Sequence, residues 1–197
     1  MSKKQNGPKI LLIDIETSPL EAFVWGIGDQ MIGLNQIKED WSVLSWSARW
    51  LGSSKILYQD NRKTKNVRDD KNLLKGIHSL LNECDIVVGQ NSKSFDVKKL
   101  NARFAIHGFP PTKPYKQIDT LSLARKYFSF TSNKLEHLCK TLGLKHRKRK
   151  SSKFPGMELW KACLNGNLEA WREMELYNID DVLTLEDLYN RLSPYGT

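Results

Sequence analysis

The sequence predicts an α/β domain in which α-helices flank a mixed β-sheet and the C-terminal part is helical. Short apolar runs separated by turn residues fill its first third, and such runs alternate with helical patterns further along. Strands followed by strand–helix alternation and then by helices are typical of a layered α/β domain. The length of 197 residues fits a single domain. We place this domain at residues 10–192, between a flexible N-terminus (1–9) and a C-terminal tail (193–197).

Four strands are expected near the N-terminus, because apolar runs there are bounded by Gly, Pro, Asn and Asp. They cover residues 9–17, 22–28, 41–50 and 55–60. Strands joined by short turns pair in antiparallel fashion, so this part of the sheet should be antiparallel. A later strand in 85–91 follows a helical pattern and should join the sheet through a helix crossover.

Helices are predicted where apolar residues recur three or four positions apart. In residues 69–84 the recurring residues are Leu73, Leu74, Ile77, Leu80 and Leu81. The other helical segments are 96–108, the second half of 116–128 after a short strand, then 132–144, 157–167 and the long segment 168–192. The last of these should pack on the sheet.

The composition, 40% hydrophobic and 27% charged, is typical of a soluble globular protein rather than a disordered one. No apolar run approaches the roughly 20 residues of a membrane helix, and no signal-peptide pattern follows the N-terminal lysines. We therefore expect a cytoplasmic protein without membrane contact. Cys84, Cys139 and Cys163 are odd in number and form no C-x-x-C pair. We predict reduced, mostly buried thiols and neither a disulfide framework nor a zinc site.

Much of the net charge of +9 comes from one basic loop, residues 145–153. Removing its six positive residues leaves +3 (9 − 6). These residues are Lys145, Arg147, Lys148, Arg149, Lys150 and Lys153. A block of this kind is a solvated loop, a nuclear-import signal or a contact for phosphates, and the sequence leaves all three open.

Two carboxylates, Asp14 and Glu16, interrupt the end of the first apolar strand. Residues two apart in a strand share a face and lie roughly 7 Å apart, so Ile13 and Ile15 point to the other face. Like charges near apolar surroundings repel each other and lose hydration, which a divalent cation with oxygen ligands relieves. A strand end that is simply exposed to water explains the pattern equally well.

Two further segments place polar residues at the ends of elements or on helix faces. In the first, a strand runs into Gly89 and Asn91, and Asp96 follows at the start of a helix, where an acid is usually an N-cap. In the second, Tyr177 and Asp181 are four residues apart and share one face of a helix, about 5–6 Å apart between Cβ atoms. Tyr177 alone fits a packed aromatic side chain. Asp181 alone fits a solvated acidic face shared with Asp180, Glu186 and Asp187.

Together, the three segments resemble the motifs of the DEDD superfamily of 3′–5′ exonucleases, which have an RNase H-like fold. Asp14-Ile15-Glu16, followed by Thr17, matches the first motif, and Asn91 through Phe95-Asp96 matches the second. Tyr177 and Asp181 match the third motif in its tyrosine form (DEDDy). The resemblance extends over residues 10–192 and is greatest to stand-alone phage or bacterial exonucleases related to the proofreading domains of family-B DNA polymerases.

The resemblance implies hydrolysis of phosphodiester bonds by two Mg²⁺ or Mn²⁺ ions, roughly 3.5–4 Å apart. Asp14 would bridge both ions, Glu16 and Asp181 would complete the first site, and Asp96 would support the second. Tyr177 would orient the attacking water rather than deprotonate it, because a phenol keeps its proton at neutral pH.

The implied substrate is the 3′ end of single-stranded or frayed DNA, in proofreading or DNA processing during DNA replication. The implied setting is a monomer in the cytoplasm of a bacterial cell or a phage-infected host, with a DNA polymerase as partner in trans. Thr17 and Asn91 would contact the terminal nucleotide. Basic residues would follow the phosphate backbone, namely Lys93, Lys98, Lys99 and the loop residues Lys145, Arg147, Lys148, Arg149 and Lys150.

Two alternatives stay open. The first is a 3′–5′ exoribonuclease or a nuclease that cuts internally, because a metal cage does not read the sugar and no residue that recognises a 2′-hydroxyl is identifiable. The second is a non-catalytic nucleic-acid-binding module, although the four acids and the tyrosine are all present. The tryptophans near the front strands either stack on bases or pack in the core, namely Trp25, Trp41, Trp46 and Trp50.

Overall fold

The computed structural model describes residues 7–146 and 153–196. Its strands are β1 (Ile10–Thr17), β2 (Glu21–Ala22), β3 (Ile37–Glu39), β4 (Val43–Trp50), β5 (Ile56–Asp60), β6 (Ile86–Gly89) and β7 (Lys116–Asp119). Its α-helices are α1 (Lys71–Glu83), α2 (Asp96–Ile106), α3 (Thr120–Tyr127), α4 (Leu135–Thr141), α5 (Glu158–Leu164) and α6 (Leu168–Leu192). Two short 3₁₀ helices are formed by Leu34–Gln36 and Ser193–Tyr195.

Five strands form one mixed sheet in the order β5-β4-β1-β6-β7. β1 pairs with β4 and β4 with β5 in antiparallel fashion, whereas the β1–β6 and β6–β7 pairs are parallel. Parallel neighbours need a crossover, which α1 supplies before β6 and α2 supplies before β7. β1 therefore lies in the middle of the sheet, and the predicted mixed α/β fold is confirmed.

The strand predicted over residues 22–28 is wrong. Only Glu21–Ala22 is extended and paired there, in a separate two-stranded sheet with β3. Gly28 has a φ of +108°, a conformation that ends an extended strand. The apolar side chains of this segment are exposed, among them Phe23, Trp25 and Ile27. An apolar run without a partner strand or a covering layer has nothing that holds it extended.

The two faces of the main sheet are covered by different helices. Against α1 and α2, β1 presents Leu11, Ile13 and Ile15, which are at most 3% exposed and belong to the largest apolar core. On the opposite face Leu12 packs on Val182 and Leu185 of α6. Because side chains alternate along a strand, Asp14 and Glu16 also face α6. The predicted partition of β1 into two faces is confirmed.

Helix α6 is held firmly across the sheet at both ends. The Asn167 side chain caps its N-terminus by accepting the backbone N–H groups of the first turn. Trp171 is fully buried in a second apolar cluster with residues of α5. Near the other end, Glu186 forms an ion pair with Arg49 of β4 at 2.9 Å. The helix therefore brings every residue on its inner face to a defined place over β1 and β4.

The solvated acidic face considered for α6 is wrong. Asp181 and Glu186 are only 8% and 9% exposed. Asp187 accepts the backbone N–H of His146 at 2.9 Å. The inner acids of this helix are thus involved in tertiary contacts, because α6 lies over the sheet rather than along the surface.

The three cysteines and Trp46 lie inside the protein. Cys84, Cys139 and Cys163 are free thiols and are buried. Trp46 lies in the apolar core, where its indole N–H donates to the Leu73 carbonyl at 3.0 Å. No helix within residues 7–146 or 153–196 is long and apolar enough to cross a membrane.

Candidate metal centre

The local sequence of β1 sets the base of the site. Asp14 lies opposite Ser47 in the β1–β4 register, and Glu16 lies opposite Ser45. Both serines are fully buried. Because paired residues share a face of the sheet, these small side chains leave room for α6 directly above the two carboxylates. A register irregularity follows at Thr17, so β1 departs from regular pairing just beyond the acids.

Helix α6 adds the third carboxylate, that of Asp181. Asp14, Glu16 and Asp181 each offer a carboxylate oxygen, and these oxygens all lie within 4.8 Å of one another. We call these three residues the carboxylate cluster. Asp181 is buried and the two acids of β1 are half-buried, so the cluster faces solvent from one side. Hard oxygen donors at this spacing suit a divalent cation such as Mg²⁺ or Mn²⁺.

The electrostatics of Asp14 favour neutralisation of the carboxylate cluster by a positive charge. Burial raises the pKa of Asp14 well above its ordinary value, and the neighbouring acids Asp181, Glu16 and Asp96 raise it further. A hydrogen bond from Asn178 acts in the opposite direction. Like charges this close exclude one another unless protons or a cation neutralise them. The donor set therefore fits a divalent ion, whose charge would compensate the carboxylates.

Asp96 is tied to β1 and stands beside the carboxylate cluster. It occupies the first turn of α2 and is buried, and its carboxylate accepts the backbone N–H of Ile15 at 3.1 Å. The N-cap interpretation is wrong, because Phe95 holds the cap position and Asp96 bonds to another element. Burial raises the pKa of Asp96 to about 7. At neutral pH a carboxyl group with this pKa is only partly ionised, so a nearby cation would shift it towards the carboxylate form.

The loop that carries Asn91 is held by an acid that sequence reasoning missed. Asp119, at the end of β7, accepts the backbone N–H groups of Asn91 at 3.0 Å and Lys93 at 3.2 Å. The same carboxylate caps α3. Asn91 has a φ of +62°, a left-handed conformation that asparagine tolerates better than most residues. An acid between a short strand and a helix is an N-cap pattern, but nothing local reveals its second set of partners.

Tyr177 lies one turn before Asp181 on α6 and is half-buried. Its ring contacts Trp160 of α5 edge to face, with ring centroids 6.0 Å apart. The predicted pairing of this tyrosine with Asp181 on one helix face therefore agrees with α6. The contact also fits the packed aromatic interpretation, because the ring is supported from one side.

A cleft of about 360 Å³ includes Thr17, the residue that follows Glu16 of the carboxylate cluster in the sequence. We call it the Trp41 cleft; it is lined by Thr17, Ser18, Pro19, Leu20, Trp41, Lys99, Met157 and Trp160. The Lys99 ammonium lies 3.7 Å from the centroid of the Trp41 ring, a cation–π contact. The structure thus brings together Thr17, Trp41 and Lys99, which the sequence offered separately as contacts for nucleic acid.

Other predicted contact residues lie elsewhere. Lys93 lines a different cleft, beside Lys116 and Lys126. Lys98 and Lys145 are exposed. Trp50 packs at the edge of the core, and Trp25 is fully exposed. The remaining basic residues of the predicted loop contact lie outside the described residues, namely Arg147, Lys148, Arg149 and Lys150.

The class of protein follows from a mixed sheet whose central strand and long helix α6 together form a carboxylate cluster. The chain belongs to the RNase H superfamily, whose family model matches residues 11–193. Its fold is similar to that of the family B DNA polymerase from the hyperthermophilic archaeon Pyrobaculum calidifontis, with a TM-score of 0.66 and 16% sequence identity. The alignment covers 95% of this chain and 25% of the polymerase chain, so this chain spans about a quarter of that length. No curated protein sequence matches the chain.

Proposed function

We propose that this chain is a metal-dependent nuclease, and specifically a DEDDy-type 3′–5′ exonuclease acting on single-stranded or frayed 3′ ends of DNA. One observation carries the proposal: Asp14, Glu16 and Asp181 meet within 4.8 Å although more than 160 residues separate the first and last. They do so on the central strand and closing helix of an RNase H superfamily domain. Carboxylates grouped in this way can hold the divalent ions that catalyse hydrolysis of a phosphodiester bond.

The carboxylate cluster fits one Mg²⁺ or Mn²⁺ ion, and Asp96 beside it would support a second. Ions held there would supply an activated nucleophile and compensate charge on the leaving 3′ oxygen. Asp14 is central, because Glu16, Asp181 and Asp96 all act on its carboxyl group electrostatically. Asp14 would be the shared ligand, Glu16 and Asp181 would hold the first ion, and Asp96 would support the second. Tyr177, one turn from Asp181, orients the attacking water through its hydroxyl group.

The substrate assignment rests on the Trp41 cleft. Its aromatic rings offer stacking surfaces for a base, and Lys99 offers a charge for a phosphate. The cleft begins at Thr17, the residue after the metal ligand Glu16, so a strand end lying in it would reach the carboxylate cluster. A cleft of this size takes single nucleotides rather than a duplex. Thr17, which lines the cleft, would contact the terminal nucleotide. Asn91 and Lys93 lie outside this cleft, and we propose them, with the basic residues of 145–153, as further contacts on the sequence resemblance alone.

The biological setting we propose is proofreading or DNA processing in the cytoplasm of a bacterial or phage-infected cell. The fold similarity is to part of a DNA polymerase, which supports a role beside a polymerase supplied in trans. We propose that the chain acts as a monomer.

The test is digestion of two 5′-labelled oligomers, a 3′-mismatched DNA primer and an RNA of matching sequence, with Mg²⁺ or Mn²⁺. We expect a ladder that shortens from the 3′ end of DNA and is absent with EDTA. Asp14→Ala should reduce cleavage to the EDTA level, because it removes the shared ligand. Asp29→Ala, which changes an exposed acid of the β2–β3 connection, should leave cleavage unchanged.

Each other result has a defined meaning. Faster digestion of RNA would replace the DNA assignment by an exoribonuclease. Internal fragments would replace exonuclease by endonuclease. Retention of the oligomers in a gel shift, without cleavage under either metal, would overturn the catalytic function and favour a binding module.

A further inference from the structure

A buried amide, that of Asn178, lies against the carboxylate cluster and is unused by the proposed reaction. Its side chain is fully buried, between Tyr177 and Asp181 in the α6 sequence. The Nδ2 group donates to Asp14 twice, to the carboxylate Oδ2 at 2.5 Å and to the backbone carbonyl at 3.2 Å.

The opposite end of the amide is held as well. The Ser45 hydroxyl of β4 donates to Asn178 Oδ1 at 3.1 Å. Ser45 is fully buried and lies opposite Glu16 in the β1–β4 register. Because a hydroxyl that donates to Oδ1 requires the oxygen end to face β4, Ser45 determines that the N–H₂ end faces Asp14. The hydrogen bonds thus run from β4 through α6 to β1.

This arrangement restricts the Asp14 carboxylate. With Oδ2 held by Asn178, the orientation of the carboxylate is restricted, while the remaining lone pairs of both oxygens stay available to a cation. Burial of an amide costs free energy that its hydrogen bonds must offset, whereas burial of an apolar side chain has no such cost. If Asn178 only packed α6 against the sheet, an apolar residue would therefore be more favourable at this position. Polar groups behind a ligand typically orient it and raise metal affinity.

We propose that Asn178, oriented by Ser45, is a positioning residue that fixes the Asp14 carboxylate for the divalent cation and thereby sets metal affinity. The inference rests on the proposed metal centre but concerns residues outside its ligand set. It assigns a role to Ser45 that depends entirely on Asn178. A side chain that merely docks α6 would affect unfolding and leave metal affinity of the folded protein unchanged.

The experiment measures metal binding without nucleic acid. MnCl₂ is titrated into the full metal-free chain by isothermal calorimetry, for the natural protein, Asn178→Leu, Ser45→Ala and the double variant. Leucine keeps most of the side-chain volume and removes both hydrogen bonds. We expect the Kd for Mn²⁺ to rise about 10- to 100-fold in Asn178→Leu. Ser45→Ala should raise it less, and the double variant should equal Asn178→Leu, because Ser45 acts only through the amide.

Two controls separate positioning from folding. Asn190→Ala changes an exposed amide of the same helix and should leave the Kd unchanged. Thermal unfolding in EDTA reports the stability of each variant without metal. If Asn178→Leu does not fold, Ser45→Ala, which removes one hydroxyl, decides the question.

The contrary outcomes differ from one another. A folded Asn178→Leu or Ser45→Ala that binds Mn²⁺ as tightly as the natural protein would overturn the positioning role and leave the metal centre intact. If the two substitutions had additive effects on the Kd for Mn²⁺, Ser45 would not act through Asn178, and that part of the proposal would be wrong. No Mn²⁺ binding by the natural protein would remove the metal centre itself, and this inference with it.

Discussion

The two faces of strand β1 have different roles: one forms apolar core and the other carries acidic side chains. Leu11, Ile13 and Ile15 face α1 and α2 and are almost completely buried among other apolar side chains. The alternating residues Asp14 and Glu16 face α6 and place like charges together. Burial of the first set stabilises the fold, whereas burial and mutual repulsion of the second set oppose it. One strand of eight residues therefore contributes both to the stability of the domain and to its candidate metal centre.

The comparison predicts that the apolar face can be weakened without loss of the metal centre. Ile77→Ala, a fully buried position of α1, should lower the free energy of unfolding by about 2–5 kcal/mol. The Kd for Mn²⁺ of the folded protein should not change, because the carboxylate cluster of Asp14, Glu16 and Asp181 lies on the opposite face of the sheet from Ile77. Chemical denaturation and calorimetric titration measure the two quantities.

Ser79→Ala, an exposed position of the same helix, is the matched control for that experiment and should change neither quantity. A large loss of Mn²⁺ affinity in folded Ile77→Ala would mean that the two faces are coupled. The division of labour along β1 would then have to be abandoned.

The next largest expected effect is on DNA affinity and concerns the Trp41 cleft. Trp41→Leu should weaken binding of single-stranded DNA to the inactive Asp14→Ala protein by about 5- to 150-fold. The reason is that one stacked base contributes about 1–3 kcal/mol. Fluorescence anisotropy of a labelled oligomer measures this affinity.

Trp25→Leu serves as the control, since this tryptophan is exposed and does not line the Trp41 cleft. Equal losses in the two variants would place base contacts outside the cleft. An unchanged affinity in Trp41→Leu would remove the cleft from the substrate path altogether.

The smallest expected effect is the loss of folding stability that ionisation of the buried Asp96 causes. Burial raises the pKa of Asp96 to about 7 from an ordinary value of about 3.9. A carboxyl group with a raised folded-state pKa contributes stability that is fully present below about pH 3.9 and is lost as pH rises through about 7. Asparagine does not titrate and can still accept the Ile15 N–H.

The melting temperature of Asp96→Asn in EDTA, relative to the natural protein, should therefore increase between pH 4 and pH 7 and then level off. Each kcal/mol corresponds to about 2–4 °C for a domain of this size. A difference that stays constant over this range would show that Asp96 is ionised throughout.

The main elements were predictable because their signals are local. Helical spacing of apolar residues in 69–84 produced α1, and Leu73, Leu74, Ile77 and Leu81 of that pattern are buried. The failure at residues 22–28 has the opposite cause. That run is apolar, but pairing and covering are properties of the surroundings, and neither is present there. An apolar run therefore forms a strand only where a neighbouring strand can pair with it and other residues cover it.

The candidate site divides in the same way. The sequence by itself determined the alternation of Asp14 and Glu16 with buried isoleucines and the one-turn spacing of Tyr177 and Asp181, since both follow from the periods of strand and helix. Only the tertiary structure decided that Asp181 meets the acids of β1 and that Ser45 and Asn178 stand behind Asp14. Those contacts depend on how α6 crosses the sheet. That crossing is set by packing along the whole helix rather than by any short stretch of sequence.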